Sequence, residues 1–597
     1  MDLYGLYNGR IDRLQKEIAV LKQKKRRYGL GRLVSFMAAI ILFFALLEVN
    51  GVMAATIAIL LLLLFLFIAV KDMDNTRHLK FRSILLKINE EELGSLDHHF
   101  NDFDDGSAFL PENHPYAYDL DIFGKHSLFQ FINRTTATPS AALLADRLLH
   151  PSSKNKIGQL QQGIKALQPE IDWRQRLQAL GRRSKITGSV YQQIAQWSTS
   201  RDHKPNGEST FKWMAIVLPL ITLLFIILAS FGILPWKILW LSFCAHLLLL
   251  WRIDKVVTPA YEYLSEAINT MDAFYDSLEC MVDKAFTDPY LQSLQQQCFH
   301  DGIPAHQLLS RLKKILHRLN MRLNPLVHFP LNLAIFWDWH QYRRLQSWQS
   351  RYRQGLIGWV NAYAEMEVLS SFANMAFNHP GWCFPEIADQ HFTFSALSLG
   401  HPLLAEGKRI CNDAGLSGAG KILLITGSNM AGKSTFLRTV GVNMVLAMAG
   451  SPVCARKMEV SETEVISSMR VADNLEENIS TFYAELKKLE TILQRVRAHE
   501  KVFLLLDEIL RGTNSLDRHA GARALIRQFL AEKAVGILAT HDLELTEMAN
   551  ECKGQILNYH FDVQVQEEEL YFDYKLKPGI CTSMNASLLM RKIGIDV

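Results

Sequence analysis

The chain has 597 residues, of which 49% are hydrophobic and 21% are charged, and its formal net charge at pH 7 is +4. This length suggests about four domains, and so small a net charge gives no argument for a nucleic-acid partner. The eight cysteines include no Cys-x-x-Cys pair, so neither a zinc site nor a disulfide framework is indicated. We therefore expect reduced thiols, as on a cytoplasmic face.

The first 32 residues predict an amphipathic helix that ends in a basic cluster. Ile11, Leu14, Ile18 and Leu21 follow the spacing of one apolar helix face. Lysines and arginines then dominate residues 22–32.

Two pairs of uncharged stretches predict two transmembrane helical hairpins, at residues 33–70 and 213–251. At 1.5 Å per residue, the two halves of the first pair span about 22 and 28 Å, against a hydrocarbon core of roughly 30 Å. Tryptophans near the ends of the second pair suit the interfaces of a bilayer. The alternative, that each pair is a buried pair of core helices, remains open on the sequence alone.

Basic residues lie at the open ends of both hairpins and indicate their orientation. The basic cluster precedes the first hairpin and Lys71 follows it, while Lys212 and Arg252 flank the second. By the positive-inside rule, we expect a multi-pass protein of the inner (cytoplasmic) membrane whose soluble parts are cytoplasmic. The amino-terminal stretch does not resemble a signal peptide, because its apolar run starts late and lacks a small-residue cleavage site.

A phosphate-binding loop is the most informative motif of the chain. It fits G-x-x-x-x-G-K-[ST], follows a strand-like apolar stretch at 422–425 and leads into a helical pattern. In such a loop the backbone N–H groups bind the phosphates of ATP, Lys433 reaches the β- and γ-phosphates, and Ser434 holds Mg²⁺. The predicted nucleotide-binding residues are Gly427, Ser428, Asn429, Met430, Ala431, Gly432, Lys433, Ser434 and Thr435.

Two further strand-like stretches end in candidate catalytic residues. Residues 502–506 are apolar and are followed by Asp507 and Glu508, which is a Walker B arrangement. Asp507 is predicted to hold Mg²⁺, and Glu508 is predicted to polarise the attacking water. Residues 535–540 lead into His541, a candidate sensor of the γ-phosphate.

These motifs together resemble the ATPase domain of the MutS family. The resemblance is carried by the phosphate loop, Ser480-Thr-Phe482, the run from Asp507 to Ser515 with Arg511-Gly-Thr inside it, and Leu538-Ala-Thr-His541. It implies a dimeric ABC-class ATPase in which Ser480, at a helix N-terminus, faces the γ-phosphate bound by the other subunit. It also implies binding of mismatched or branched DNA, as in DNA mismatch repair.

A less specific resemblance to the family's helical core covers residues 120–151 and 364–373. We therefore expect a connecting arm at 71–117, a helical core at 118–212, a helical lever and second core part at 252–395, and the ATPase at 396–597. The expected fold class is multi-domain α+β, with two transmembrane helical hairpins, an all-α core and lever region, and a carboxyl-terminal α/β P-loop (ABC-class) ATPase domain.

Two departures from the family weaken the implied DNA role. The family's mismatch-recognition domain carries a Phe-x-Glu motif near the amino terminus, and nothing before Tyr118 resembles that domain. The Phe-x-Glu at Phe384–Glu386, just ahead of the ATPase, fits a structural role. The second hairpin also occupies the interval in which the family inserts its DNA clamp.

The alternative function is an ATP-driven membrane-associated machine or switch that acts on a protein partner without DNA.

Two assignments stay undecided in the sequence. Residues 337–353 interleave aromatic and basic side chains, which suits a nucleic-acid contact, a membrane surface or the solvated face of a helix.

The residue that stacks on adenine is also undecided. Around Arg409 and Ile410, where the family commonly has an aromatic residue, this chain has none, and Tyr559 and Phe561 are possible substitutes.

Overall fold

The amino-terminal hairpin consists of two long antiparallel helices. The computed structural model describes residues 2–183, 185–199, 208–428, 431–470, 481–566 and 569–581. Helix α1 spans Leu3–Leu47 and helix α2 spans Gly51–Leu96. The side chain of Asn50 accepts hydrogen bonds from the backbone N–H groups of residues 52 and 53, so α2 begins directly after the turn. Much of the region assigned to a connecting arm, up to Leu96, is a continuation of α2.

A buried polar cluster fastens this hairpin to the helical core. The carboxylate of Glu92, on α2, accepts a hydrogen bond of 2.5 Å from Arg134 Nε and bonds of 2.8 and 2.9 Å from the amides of Asn374 and Asn378. Burial disfavours the charge of Glu92, but Arg134 and the two amides outweigh burial and lower its pKa. From α1, the hydroxyl of Tyr7 donates to Asn378 Oδ1 at 2.7 Å.

In the middle of the chain the described residues form helices, one two-stranded ribbon and the segments that connect them. Its helices and strands are α3 Leu128–Ile132, α4 Thr138–Leu149, α5 Lys154–Leu167, α6 Ile171–Arg183, α7 Gly188–Thr199, α8 Glu208–Ser230, α9 Ile238–Val282, α10 Pro289–Gln297, β1 Phe299–His300, β2 Ile303–Pro304, α11 Ala305–Leu319, α12 Pro325–Ile335 and α13 Trp337–Asn378. Helix α13 is the central element, because it packs against α4, α5, α6, α7, α9, α10 and α11.

Three of the described helices are long and apolar enough to cross a membrane. They are α1, α2 and the part of α8 from Phe211 to Ser230. Their apolar side chains point outward, as in Phe44 and Leu60. The fourth predicted segment, residues 238–251, forms the first part of α9 and packs against α8. Passage of these helices through a bilayer stays a prediction.

Four of the aromatic side chains within residues 337–353 belong to the core. Trp339, Tyr342, Trp348 and Tyr352 are buried on the inner face of α13, and the indoles of Trp348 and Trp197 stack with ring centres 5.7 Å apart. With the buried Leu345 between Tyr342 and Trp348, these side chains are spaced three or four residues apart, which is the period of one helix face. Of the alternatives left open for this segment, a stacking surface for bases is therefore not formed by these four residues.

The carboxyl-terminal part contains two sheets. The smaller has the strand order β3–β7–β4–β5, and the larger has the order β12–β11–β6–β10–β9–β8. Strands β6, β8, β9, β10 and β11 are parallel to their neighbours, and β12 is antiparallel to β11. The bounds are β3 Glu386–Ala388, β4 Thr393–Leu399, β5 Asn412–Ser417, β6 Lys421–Thr426, α14 Lys433–Met448, β7 Lys457–Ser461, β8 Glu464–Ser468, α15 Thr481–Arg497, β9 Val502–Asp507, α16 Ser515–Ala531, β10 Val535–Thr540, α17 Met548–Glu551, β11 Ile556–Gln566 and β12 Glu569–Pro578.

We predict that Arg134→Met destabilises the protein strongly. The substitution leaves the charge of Glu92 buried without its cation, which typically costs about 3–5 kcal/mol of unfolding free energy. Arg13→Met is the matched control, because Arg13 pairs with Glu17 on the exposed surface of α1. Thermal unfolding of the purified full chain measures both. Equal melting temperatures for the two variants would contradict the role given to Glu92.

Candidate nucleotide-binding site

Three parallel strands end side by side and place the motif residues at one edge of the sheet. Thr426 at the end of β6 is paired with Thr540 of β10, and Asp507 of β9 is paired with Ala539. The loop that follows β6 needs glycine at both ends, because Gly427 has φ of 148° and Gly432 has φ of 108°. A Cβ atom on Gly427 would also lie 2.8 Å from the carbonyl oxygen of residue 561.

Lys433 is the first residue of α14, and its side chain reaches back into the preceding phosphate loop. Its Nζ donates to the carbonyl oxygens of Gly427 at 2.6 Å and Ser428 at 3.0 Å. Burial lowers the pKa of Lys433, while the negative charges of Glu508 and Asp507 oppose that shift. Phosphate oxygens placed in this loop would therefore find a cation that is partly desolvated and held at the loop's centre.

Ser434 and Asp507 form the arrangement that suits Mg²⁺. Ser434 Oγ donates to Asp507 Oδ2 at 2.5 Å. The other carboxylate oxygen, Oδ1, is buried and has no hydrogen-bond partner among the residues that the structure describes. Burial raises the pKa of Asp507, against the hydrogen bond from Ser434 and the charge of Arg511. A hydroxyl and an unpartnered carboxylate oxygen are the hard oxygen ligands that Mg²⁺ prefers, so these residues fit the ion.

Glu508 occupies a constrained position between the side chains of His541 and Arg511. Its backbone φ is 47°, and its N–H donates to the carbonyl of Ala539 at 2.9 Å, which ties it to β10. Its Oε1 lies 3.6 Å from His541 Nδ1, and its Oε2 lies 3.3 Å from Arg511 Nε. The predicted catalytic residues Glu508, His541 and Lys433 therefore surround one small region at the sheet edge.

The turn after Glu508 is held by helix α15. Both oxygens of the buried Glu485 accept hydrogen bonds from backbone N–H groups, those of Leu510 and Arg511. A Cβ atom on Gly512 would lie 2.6 Å from Phe482 Cβ, so only glycine allows this approach. Three predicted site residues, Asn429, Met430 and Ser480, lie outside the described residues.

A cavity of about 430 Å³ adjoins the loop and has the size of a small-ligand site. Its walls include Lys433, Ser434, Glu508, Ile410 and Tyr574. Tyr574 is 44% exposed, and its ring lies 3.1 Å from where a Cβ of Gly432 would be.

Of the two aromatic residues suggested for adenine, neither offers a free ring at this cavity. Phe561 lines it but is buried against Phe436, with ring centres 5.8 Å apart, and Tyr559 is not among the lining residues. Tyr574 is the exposed aromatic side chain there, and the sequence analysis missed it. The signal was the aromatic run Tyr571-Phe572-Asp573-Tyr574 in the closing strand.

The helical core contacts the ATPase part through two acidic residues that the sequence analysis also missed. Asp119 is buried and accepts a hydrogen bond from Lys488 Nζ at 2.9 Å. Asp121 pairs with Arg470 at 2.7 and 3.1 Å and with Arg438 at 3.3 Å. Arg438 lies one turn beyond Ser434 on α14, so the core is joined directly to the helix that follows the phosphate loop.

The sequence of the carboxyl-terminal part is similar to that of known proteins. Residues 423–590 match the model of MutS domain V. The carboxyl-terminal third of this chain is MutS-like. It is 34% identical over 221 residues to the DNA mismatch repair protein MutS of Aquifex pyrophilus, with 36% of this chain and 25% of that protein covered. It is 37% identical over 223 residues to the protein of the same name from Ehrlichia chaffeensis, with 37% and 27% covered.

The similarity is confined to part of each protein. The chain spans about a quarter of the length of the curated relatives that it matches; for the MutS of Chlamydia pneumoniae, for example, the aligned region covers 28% of that protein at 30% identity. The matches support a MutS-family ATPase in the carboxyl-terminal third, and they leave the helical hairpins and most of the helical core without a counterpart in these alignments.

We predict that Tyr574→Ala weakens nucleotide binding about tenfold. Loss of a ring that stacks on a base typically costs about 1–3 kcal/mol. Tyr571→Ala is the matched control, because Tyr571 lies on the same strand, is 54% exposed and does not line the cavity. Titration with a fluorescent ATP analogue measures both. If Tyr574→Ala binds as tightly as Tyr571→Ala, Tyr574 does not contact the base.

Proposed function

We propose that this protein is a membrane-anchored MutS-like ATPase that binds and hydrolyses ATP as a dimer and uses the cycle to move its membrane-embedded helices. The observation that carries the proposal is the convergence of Lys433, Ser434, Asp507 and Glu508 beside one cavity of about 430 Å³. Charged groups that are buried together at the ends of parallel strands are costly to maintain. A bound anion and cation would compensate for that cost.

In the proposed reaction the protein positions groups and stabilises charge. Lys433 binds the β- and γ-phosphates, and the loop N–H groups bind the remaining oxygens. Ser434 and Asp507 hold Mg²⁺, which when bound neutralises charge on the phosphates. Glu508 orients the attacking water and accepts its proton, and His541, 3.6 Å from that carboxylate, contacts the γ-phosphate.

Each site is proposed to need a second copy of the chain. The family resemblance puts Ser480 of the partner subunit against the γ-phosphate. The turn after Glu508 supports such a contact, because Leu516 is an apolar side chain that is 83% exposed at the start of α16. Hydrolysis in one subunit would thus be transmitted to the turn after Glu508 and to helix α15 in both subunits.

The membrane attachment is proposed from the two hairpins. In the first, apolar side chains face outward along α1 and α2. A water-soluble protein rarely exposes so continuous an apolar surface. With the basic residues at the hairpins' open ends, this supports an inner-membrane location with the ATPase in the cytoplasm.

The competing candidate is a DNA-binding ATPase, since the relatives are named DNA mismatch repair proteins. One observation favours the membrane task over this candidate. The aromatic residues that could have stacked on bases, including Trp339 and Tyr342, are buried. The arginines left on that helix would have to contact DNA without these four rings as a stacking surface beside them.

We expect Glu508→Gln to lower ATP turnover at least 100-fold while leaving ATP binding intact. The amide keeps the shape of the side chain but cannot accept a proton from water. Phosphate release and binding of a fluorescent ATP analogue should be measured on the same preparation, with Glu490→Gln on the exposed face of α15 as the control. Undiminished turnover would refute the role of Glu508, and a pure binding switch would show no turnover in the native chain.

Mixed dimers test whether Ser480 acts on the partner's nucleotide. Lys433→Ala and Ser480→Ala should each be inactive alone, because one loses the phosphate contact and the other loses the contact from across the dimer. In a heterodimer of the two, one site combines an intact Lys433 with an intact Ser480 of the partner subunit. We expect co-assembly to restore up to half of the native turnover. No recovery in verified heterodimers would mean that Ser480 acts within its own subunit.

DNA binding separates the two candidate functions. We expect the detergent-purified protein to bind matched, mismatched and branched duplexes equally weakly, and to lose that binding between about 50 and 200 mM salt, as non-specific phosphate contacts do. Each duplex should be titrated with and without ATP. Binding that prefers mismatched or branched DNA and depends on ATP would replace the membrane task with the DNA-binding candidate.

A further inference from the structure

A third apolar segment follows helix α11 and has no role in the function proposed so far. Between Arg322 and Asp338 the chain contains no Asp, Glu, Lys or Arg. This segment contains helix α12, which packs against α8, α9 and the start of α13. Its 11 residues give a length of about 16 Å, which is half of a bilayer's hydrocarbon core. Helix α12 is therefore too short to span a membrane.

The side chains of this segment are arranged the opposite way from those of a water-exposed helix. Leu326 is 86% exposed and Phe329 is 50% exposed, whereas Asn332 and Asp338 are 3% and 5% exposed. On a soluble protein the polar side chains would face outward and the leucines inward. An outward apolar surface with an inward polar core is the arrangement that a lipid environment favours.

Most of the inward polar groups pair with one another where the helix breaks, although Asp338 Oδ1 is buried without a hydrogen-bond partner among the described residues. Phe336 has φ of 49°, and this break separates α12 from α13. Asn332 Oδ1 accepts the backbone N–H of Asp338 at 3.0 Å, and Asn332 Nδ2 donates to the carbonyl of His328 at 3.1 Å. Asp338 Oδ2 lies 2.9 Å from His328 Nε2. Irregular backbone within a bilayer is tolerated only when its polar groups are satisfied by the protein in this way.

The position of the segment matches the apolar parts of α8 and α9. The ring of Phe336 stacks on His246, at 5.1 Å between ring centres, and His246 belongs to the uncharged part of α9. Arg322, at the base of the segment, pairs with Asp254 beyond the end of that uncharged part and lies 3.0 Å from Asp338. The charged groups thus collect at the base, and the apolar surface continues from there along the two helices.

We propose that α12, with the residues on either side of it, is a short helix immersed in one leaflet of the lipid bilayer, with acyl chains covering Leu326 and Phe329. This proposal rests on the membrane attachment proposed above. Lipid is the occupant that the surface fits, because the exposed side chains of α12 are apolar and adjoin α8, whose own apolar side chains face outward. A movement of α13 driven by ATP would then be transmitted to this helix directly.

Site-specific fluorescence quenching of the full chain in liposomes tests the proposal. Cys244 is the exposed cysteine among the described residues, so a Cys244→Ser parent provides a low background. Bimane is attached in turn at Leu326→Cys, at Leu63→Cys in the uncharged part of α2, and at Leu110→Cys in the segment after α2; all three leucines are exposed. Each is quenched separately with nitroxide-labelled phospholipid and with aqueous iodide.

We expect the phospholipid quencher to act on the Leu326 and Leu63 labels and iodide to act on the Leu110 label. Iodide quenching at Leu326 with lipid quenching at Leu63 would overturn the immersion of α12 and leave the membrane anchor standing. Shielding of Leu326 from both quenchers would also overturn it, in favour of a covering protein surface. Iodide quenching at Leu63 as well would show that the proposed membrane attachment itself fails.

Discussion

Glu92 keeps its negative charge inside the protein, and three separate parts of the chain meet to stabilise it. Helix α2 supplies the carboxylate, the loop before α4 supplies Arg134, and the end of α13 supplies the amides of Asn374 and Asn378. The hairpin is therefore a constituent of the core and not a separable anchor. A rotation of the core about this cluster would carry α1 and α2 with it, because a buried ion pair has a large cost of separation.

The meeting of the candidate site residues at one sheet edge follows from local patterns in the sequence, while their roles toward a nucleotide stay predictions. The phosphate loop needs glycines and a lysine at fixed spacing, and the two apolar strands that end in Asp507 and His541 need only a run of buried residues. Parallel pairing then brings those ends together. Tyr574, Asp119 and Asp121 could not be found this way. Their roles depend on which distant segments pack beside them, and an aromatic or acidic residue in isolation carries no such information.

The helical half shows a different limit of sequence analysis. Trp339, Tyr342, Trp348 and Tyr352 lie on one helix face, which suits burial, but the interleaved arginines suit a surface equally well. The uncharged run before Asp338 is shorter than a membrane span and contains prolines and asparagines, so its pattern alone does not indicate a contact with lipid. Its outward apolar surface becomes visible only when Asn332 is seen to be turned inward. The polar content of a segment therefore did not indicate its environment.

The contact between Tyr7 and Asn378 has a consequence for the order in which the protein is made. These partners are separated by 371 positions in the chain, and Glu92 and Asn374 by 282. During synthesis α1 and α2 emerge first, and Arg134 and helix α6 follow them early enough to pair with Glu92 and to pack on α2. The amides of Asn374 and Asn378 come last, because they lie at the end of α13. At typical synthesis rates of about 5–20 residues per second, Glu92 lacks these two amides for roughly 15–60 seconds. The nascent chain thus passes through a stage in which the ion pair has formed while the polar cluster around it is still open to water, chaperones and proteases.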